Sequence, residues 1–420
     1  MEPSPVSAAL ALARAGDSQG AGAILSALMI EELPSLGTVT VAVNNDRYSL
    51  NSLNGTVTQA DGTTSFFKLH VEEGEERTVQ EYYRAELLHR AGWPVERPWF
   101  ASTTPGRQFL LYHFQHHQRL ADAARHAEMN PANSHSTLVV AQQVLDKLIG
   151  AQMIASLHEA PLGESEREPV HQLFHHRLVD PGTPMRLGGR AARFYQGAQF
   201  VFPDSVVLDW EELASLKWRI NGVLLSHSFA DLLDESRAVL DPSALAVHGA
   251  LTAHGDDHNA NVWLTPDGLR LFDPAFAGEH LPALLAQVKA TFHNVWAHPF
   301  WLYDAALSEA TWQVCAANDD GVLDIDTDWE PGDLRTAFLA SKTEHVWRPL
   351  VAELTHRGWL PPNWERVVRC ALFCCPTLVL DLRSRGPRTN ALGMAVAMMM
   401  GSSGCDQPTF VDQWVDAIRP

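Results

Sequence analysis

The residues with the clearest chemical potential lie in Leu251-Thr252-Ala253-His254-Gly255-Asp256-Asp257-His258-Asn259-Ala260-Asn261, followed closely by Leu269-Arg270-Leu271-Phe272-Asp273-Pro274. Asn261 falls five residues after Asp256, and Asp273 twelve after Asn261. Residues 261–264 and 269–272 have strand texture and enclose the turn sequence Thr265-Pro266-Asp267-Gly268, so a hairpin is predicted that returns Asp273 to the neighbourhood of Asn261. Asp256 sits in the loop entering that hairpin. Two carboxylates and an amide therefore converge, and this set suits phosphoryl transfer. One carboxylate orients a nucleophilic hydroxyl and accepts its proton, while hard oxygen donors hold Mg²⁺ against nucleotide phosphates. Asp256 is assigned the catalytic role and Asn261 and Asp273 the metal. His254 and His258 read as supporting residues, His254 as a hydrogen bonder that braces the loop.

The elements that must position these residues are legible in outline. Two Ala/Leu-rich helical segments, 6–15 and 21–32, precede alternating strand patterns at 38–43, 47–50, 55–58 and 65–71, with Asp61-Gly62 at a turn. Residues 76–91 switch to a helical pattern, with Val79, Tyr82, Tyr83, Leu87 and Leu88 at three- and four-residue spacings and Gly92 and Pro94 as terminators. A second strand pair, 99–102 and 108–114, flanks Pro105-Gly106. Beyond Phe114 the texture is mainly helical, at 138–158, 210–240, 281–306, 335–358 and 364–382. The expected fold class is α+β and bilobal: a helical extension over 1–34, a β-rich lobe over 35–114, and a large helical lobe over 115–420.

With these motifs in place, the sequence resembles the aminoglycoside phosphotransferase and choline kinase branch of the protein-kinase-like superfamily, over roughly residues 36–300. The resemblance rests on the loop His254-Gly255-Asp256 with Asn261 and Asp273. It implies a nucleotide-binding β-rich lobe in which Lys68, on a strand, reaches the phosphates of ATP or GTP. Glu86 on the next helix orients that lysine, with Glu81 as the alternative. It also implies a nucleotide-covering loop around residues 49–56, contributing Ser52, Asn54 and Gly55, and a hinge at 110–114 where Leu111 and His113 meet the adenine. Three departures bear on function. The covering loop has a single glycine, Gly255 replaces the arginine that answers activation-loop phosphorylation, and Asp273-Pro274-Ala275 replaces the usual Asp-Phe-Gly. These favour a small-molecule acceptor over a protein. The acidic residue that relatives carry two places after the metal aspartate is missing at Ala275, with Glu279 as a candidate replacement.

Composition sets the outer limits. The chain has 420 residues, 46.4 kDa and 46% apolar content, enough for a sizeable core. Its formal net charge of −19 opposes nucleic acid and anionic membrane as partners and draws cations. Five cysteines, an odd and sparse set, argue against a disulfide scaffold, and Cys370, Cys374 and Cys375 read as core thiols in a reducing, cytoplasmic setting. The N-terminus has no basic flank before its apolar stretch, as a secretory signal would need, and no apolar run reaches membrane-spanning length. The acidic stretch 319–333 starts like a calcium loop but has Trp329 at the required glycine and Arg335 at the required glutamate. His113, His116, His117, His175 and His176 lack metal-ligand spacing. Two other functions stay open at this point: a nucleotide-binding regulator without catalysis, and a hydrolase using His254, Asp256 and His258 as metal ligands. The segment 292–303 is aromatic enough to line the acceptor site or to be core.

Overall fold

A computed structural model of the chain describes residues 4–44, 52–70, 80–130, 135–160, 163–180, 182–297 and 299–420. The strand expected at 47–50 lies outside them. Helix α1 (Pro5–Arg14) starts with Pro5 behind the Ser4 cap, and α2 (Ser18–Glu32) starts where the Asp17 carboxylate accepts from the Gly20 N–H at 2.8 Å. They are followed by β1 (Val39–Val43), β2 (Ser52–Gln59), β3 (Thr64–His70), α3 (Gln80–Arg90), β4 (Phe100–Ser102) and β5 (Phe109–His113). The five strands form one antiparallel sheet in the order β1-β2-β3-β5-β4.

Alternation along the strands gives the sheet two unlike faces. Leu53, Val57, Phe67, Leu69, Phe109 and Leu111 bury against Ala21, Leu25, Leu28 and Met29, so α2 roofs one side. The approach is close: a side chain on Gly22 would meet the Val41 carbonyl at 2.6 Å. Glu32, at the end of α2, accepts from Ser102 Oγ at 2.9 Å and from Thr104 Oγ1 at 3.2 Å, and pairs with Arg107. The opposite face carries Asn54, Lys68 and Leu110 in one row across β2, β3 and β5.

The remainder is built on helices Ser136–Ser156, Phe229–Val239, Trp364–Val379 and Pro387–Gly401, with Trp218, Trp296, Trp301 and Trp347 fully buried among them. Cys370, Cys374 and Cys375 are buried as expected, and burial pushes the thiols of Cys370 and Cys375 up to about 12. Three expectations need correction. The helix expected over 210–240 is Trp210–Ser215, a hairpin of Lys217–Ile220 and Val223–Leu224, then Phe229–Val239. Asn221 and Gly222 both have positive φ, at 47° and 81°, which is the two-residue turn that such a pair favours. The acidic stretch is likewise a hairpin, Val314–Asp319 with Val322–Thr327, turning at Asp320 and Gly321 and pairing parallel to Lys217–Ile220. Residues 281–306 break into short helices after the strand Gly278–Pro282.

One buried polar chain runs through the helical part of the fold. Asp146 accepts from Gln142 Nε2 at 2.9 Å, Ser341 Oγ at 2.6 Å and Lys342 Nζ at 3.0 Å. Lys342 also donates to Gln287 Oε1 at 3.0 Å, and Gln287 Nε2 donates to both oxygens of Asp257, at 2.9 and 2.8 Å. All these side chains are buried. The helix Ser136–Ser156 is long and apolar enough to cross a membrane, but Asp146 ties it to Ser341 and Lys342 in the protein core. Removing one member of a buried pair leaves an uncompensated charge, so Asp146→Ala is expected to cost about 3–5 kcal/mol in equilibrium denaturation, against about 1 kcal/mol or less for exposed Asp234→Ala.

Candidate active site

The loop after the buried strand Gly249–Ala253 is held by its own side chains. His254 Nδ1 accepts from the Asp256 N–H at 3.3 Å, which puts the ring proton on Nε2, and Nε2 donates to the Phe272 carbonyl at 3.0 Å. His254 thus braces the loop against the end of the hairpin. Gly255 has φ +78°, and a side chain there would lie 2.7 Å from the Phe276 carbonyl, so neither arginine nor any other side chain fits. Asn261, closing the short turn Asn259–Asn261, donates Nδ2 to the Asp256 carbonyl at 2.9 Å. That bond leaves its Oδ1 as a hard oxygen acceptor. The hairpin that follows is Val262–Thr265 with Gly268–Leu271.

Asp273 stands two residues beyond the second hairpin strand with φ +60°, a conformation that aspartate tolerates better than most residues. Its carboxylate pairs with Lys68 Nζ, a contact across 205 positions of sequence that joins the sheet to the hairpin. Lys68 is buried and faces Asn54 on β2. Asn261 Oδ1 and Asp273 are the kind of sparse oxygen set that suits Mg²⁺, which keeps waters and substrate phosphates in its remaining positions. Among the described residues no group of three or more His, Cys, Asp or Glu could hold a metal, and His254 spends both ring nitrogens inside the protein. The alternative of a His254, Asp256 and His258 metal hydrolase is therefore set aside.

Asp256 is mostly buried, its side chain 15% exposed, and Oδ1 has no hydrogen-bond partner. Burial, opposed by the charge of Lys289, pushes its carboxyl up to about 6. His258 Nε2 is 3.8 Å from Asp256 Oδ1, and burial with the nearby Lys289 drives the ring down to about 3, so it is neutral. Lys289 itself is a buried group near Asp256 that sequence reading missed; it sits in an apolar run with no motif to mark it. In the aromatic segment, Phe292, Trp296 and Trp301 are core, while His293 bonds to Lys289 and Tyr303 bonds to His293.

Other expected nucleotide-binding residues fall elsewhere. Glu86 does not turn towards Lys68: it accepts from Arg90 Nε at 3.0 Å and Arg97 at 3.1 Å, because its i+4 partner lies on the outer helix face. The side chains of Glu81 and Ser52 lie outside the described ones. Inward on α3 is Arg84, whose guanidinium donates to the Ala275 carbonyl. Glu279 is exposed, and with Arg84, Glu168 and His280 it lines a separate cavity of about 540 Å³. Gly55 lies within β2, where a side chain would come 2.0 Å from the Ala42 carbonyl, so packing accounts for it. Leu111 is inside β5, with its carbonyl accepting from Trp99 N–H at 2.8 Å and its side chain under α2. His113 ends β5, stacked on Trp99, and lines a cavity of about 630 Å³ with Glu86, Glu96 and Arg270. The link between the parts of the fold thus begins after His113, at residues 114–117.

No family model matches the chain, and no curated protein matches it. Solved structures do. An ethanolamine kinase of Plasmodium vivax is 11% identical, with 94% of this chain and 86% of that one covered and a TM-score of 0.42. An amicoumacin kinase in complex with AMP-PNP and Ca²⁺ is 12% identical, with 86% and 87% covered and a TM-score of 0.41. A choline kinase of Cryptosporidium parvum is 10% identical, with 89% and 93% covered and a TM-score of 0.38. At these scores the likeness decides no activity for this chain.

Burial of the Asp256 carboxyl carries a cost to stability. Its folded pKa, about 6, lies above the unfolded value of about 3.9, so its contribution is fully present below pH 4 and lost as pH rises through 6. Asp256→Asn is expected to stabilise the ligand-free protein by about 1–3 kcal/mol at pH 8 and by much less at pH 4, read from thermal melts at both. Gly255→Ala is expected to destabilise by about 1–3 kcal/mol through φ strain and collision with Phe276, measured the same way.

Proposed function

We propose that the protein is a nucleotide-dependent phosphotransferase that moves the γ-phosphoryl group of ATP or GTP to a hydroxyl of a small molecule, such as an antibiotic, another natural product or a metabolite. The observation that carries this reading is the Lys68–Asp273 pair beside the Asp256 and Asn261 loop. Those are the four residues that phosphoryl transfer needs, brought from two distant parts of the chain.

Asp256 Oδ1 is buried without a hydrogen-bond partner, and we assign it to the acceptor hydroxyl. As the hydroxyl oxygen bonds to the γ-phosphorus, the bond from phosphorus to the leaving nucleotide oxygen breaks and the proton passes to Asp256, giving a phosphate ester and the nucleoside diphosphate. Lys68 supplies positive charge to the phosphate oxygens. Asn261 Oδ1 and Asp273 would hold Mg²⁺, which supplies charge neutralisation at the phosphates when bound. His254 and Gly255 keep the loop in shape, and His258, neutral, packs beside the carboxylate. Arg84 holds the chain after Asp273 to α3.

The test is phosphoryl transfer by purified protein with Mg²⁺ and either nucleotide to a broad panel of hydroxyl acceptors. Asp256→Asn is expected to lower kcat by about 10²–10⁴-fold while nucleotide-dependent thermal stabilisation persists. Lys68→Met is expected to weaken nucleotide binding itself. Nucleotide stabilisation without turnover on any acceptor would instead identify a binding regulator.

A further inference from the structure

The buried groups around Asp256 bear on the acceptor's chemistry, an inference that rests on the phosphotransferase reading. Lys289 is 4% exposed, and Nζ donates to His293 Nε2 at 3.0 Å. His293 Nδ1 then donates to Tyr303 Oη at 2.6 Å, and His258 stacks on the His293 ring with centroids 4.9 Å apart. An ammonium has three donors. Among the described residues Lys289 meets one acceptor, a neutral imidazole, and makes no ion pair. The nearest opposing charge on Lys289 is Asp256 itself, and beyond it the surroundings add positive charge: Arg177 acts on both Asp256 and Lys289, and Arg190 on Lys289. The acids near Asp256 are otherwise engaged, Asp257 by Gln287 and Asp273 by Lys68.

Two buried needs therefore stand side by side: a carboxylate oxygen, Asp256 Oδ1, without a donor, and an ammonium with donors to spare. Unmade buried hydrogen bonds are costly. One molecule meets both needs if it carries a hydroxyl and an anionic oxygen. We propose that the acceptor is a hydroxyl compound bearing a carboxylate or phosphate, with the anionic group held by Lys289 and the hydroxyl by Asp256. Burial pushes the Lys289 pKa down, and an anion beside Nζ opposes that and keeps the proton in place. An amino alcohol, by contrast, would bring a like charge against Lys289 and Arg177. The overall charge of −19 points the other way, towards a cationic acceptor, but it is spread over the whole chain, whereas these cations lie at the reacting group.

The experiment uses the full chain saturated with Mg²⁺ and a non-hydrolysable ATP analogue, whose own thermal shift reports separately on the kinase reading. Glycerate, glycerol 3-phosphate, glycerol and choline are then titrated by thermal shift and calorimetry. The proposal expects one or both anions to bind at least tenfold more tightly than glycerol and choline, the stronger of the two distinguishing carboxylate from phosphate. It expects Lys289→Met to abolish that preference with the nucleotide shift unchanged, and Lys289→Arg to retain part of it. Binding of choline or glycerol as tight as either anion, or no anion binding in nucleotide-loaded protein, overturns it. So does an anion preference that survives in Lys289→Met. If Lys289→Met does not fold, the ranking of the four probes on the unmodified chain and on Lys289→Arg decides. Absence of any nucleotide shift on the unmodified chain defeats the phosphotransferase reading itself.

Discussion

The loop from His254 to Asn261 keeps its shape because Asp257, next to Asp256, is held by both oxygens on Gln287, and Gln287 is held by Lys342 on Asp146. This chain of buried hydrogen bonds spans four separate parts of the sequence. In a low-dielectric interior each member depends on the next, since an unpaired polar group there is expensive. Asp256 can be left with an unpartnered oxygen because its neighbour is so firmly tied. Asp256 keeps an unpartnered oxygen, and the adjacent Asp257 anchors the loop to the core.

A second constraint is positional. Lys68 lies in mid-sheet and Asp273 past the end of a hairpin, and their pairing requires the sheet and the hairpin to meet. Further contacts support that meeting: the Glu96 N–H donates to the Leu271 carbonyl at 2.8 Å, and the Glu96 carboxylate accepts from Gln115 and Trp263. Helices α1 and α2 act from the other side, stiffening the sheet by filling its outer face. The N-terminal segment therefore belongs to the same packed unit as the lysine.

Charge has different meanings at different ranges. The chain as a whole is strongly acidic, and beyond a Debye length of about 8 Å that charge is largely screened. Within the site, Lys68, Lys289 and Arg177 set the local field. A polyphosphate donor and, on the inference drawn above, an anionic acceptor are compatible with it.

The sequence by itself determined the local chemistry. The spacing of Asp256, Asn261 and Asp273 across a turn dictates a loop and hairpin, and alternation from Val39 to His113 dictates an antiparallel sheet with Lys68 on it. It also held, unread, the Asn221-Gly222 and Asp320-Gly321 turns that interrupt an expected helix and fold the start of the acidic stretch into hairpins. Only the tertiary structure decided the partners. Glu86 is spent on Arg90 and Arg97, Leu111 is enclosed in the sheet, and Gly55 is required by packing. Lys289, a lone lysine in an apolar run, comes to Asp256 through folds that no local pattern encodes. The physical reason is range: periodicity and turn chemistry act over a few residues, whereas burial and charge pairing depend on which distant surfaces meet.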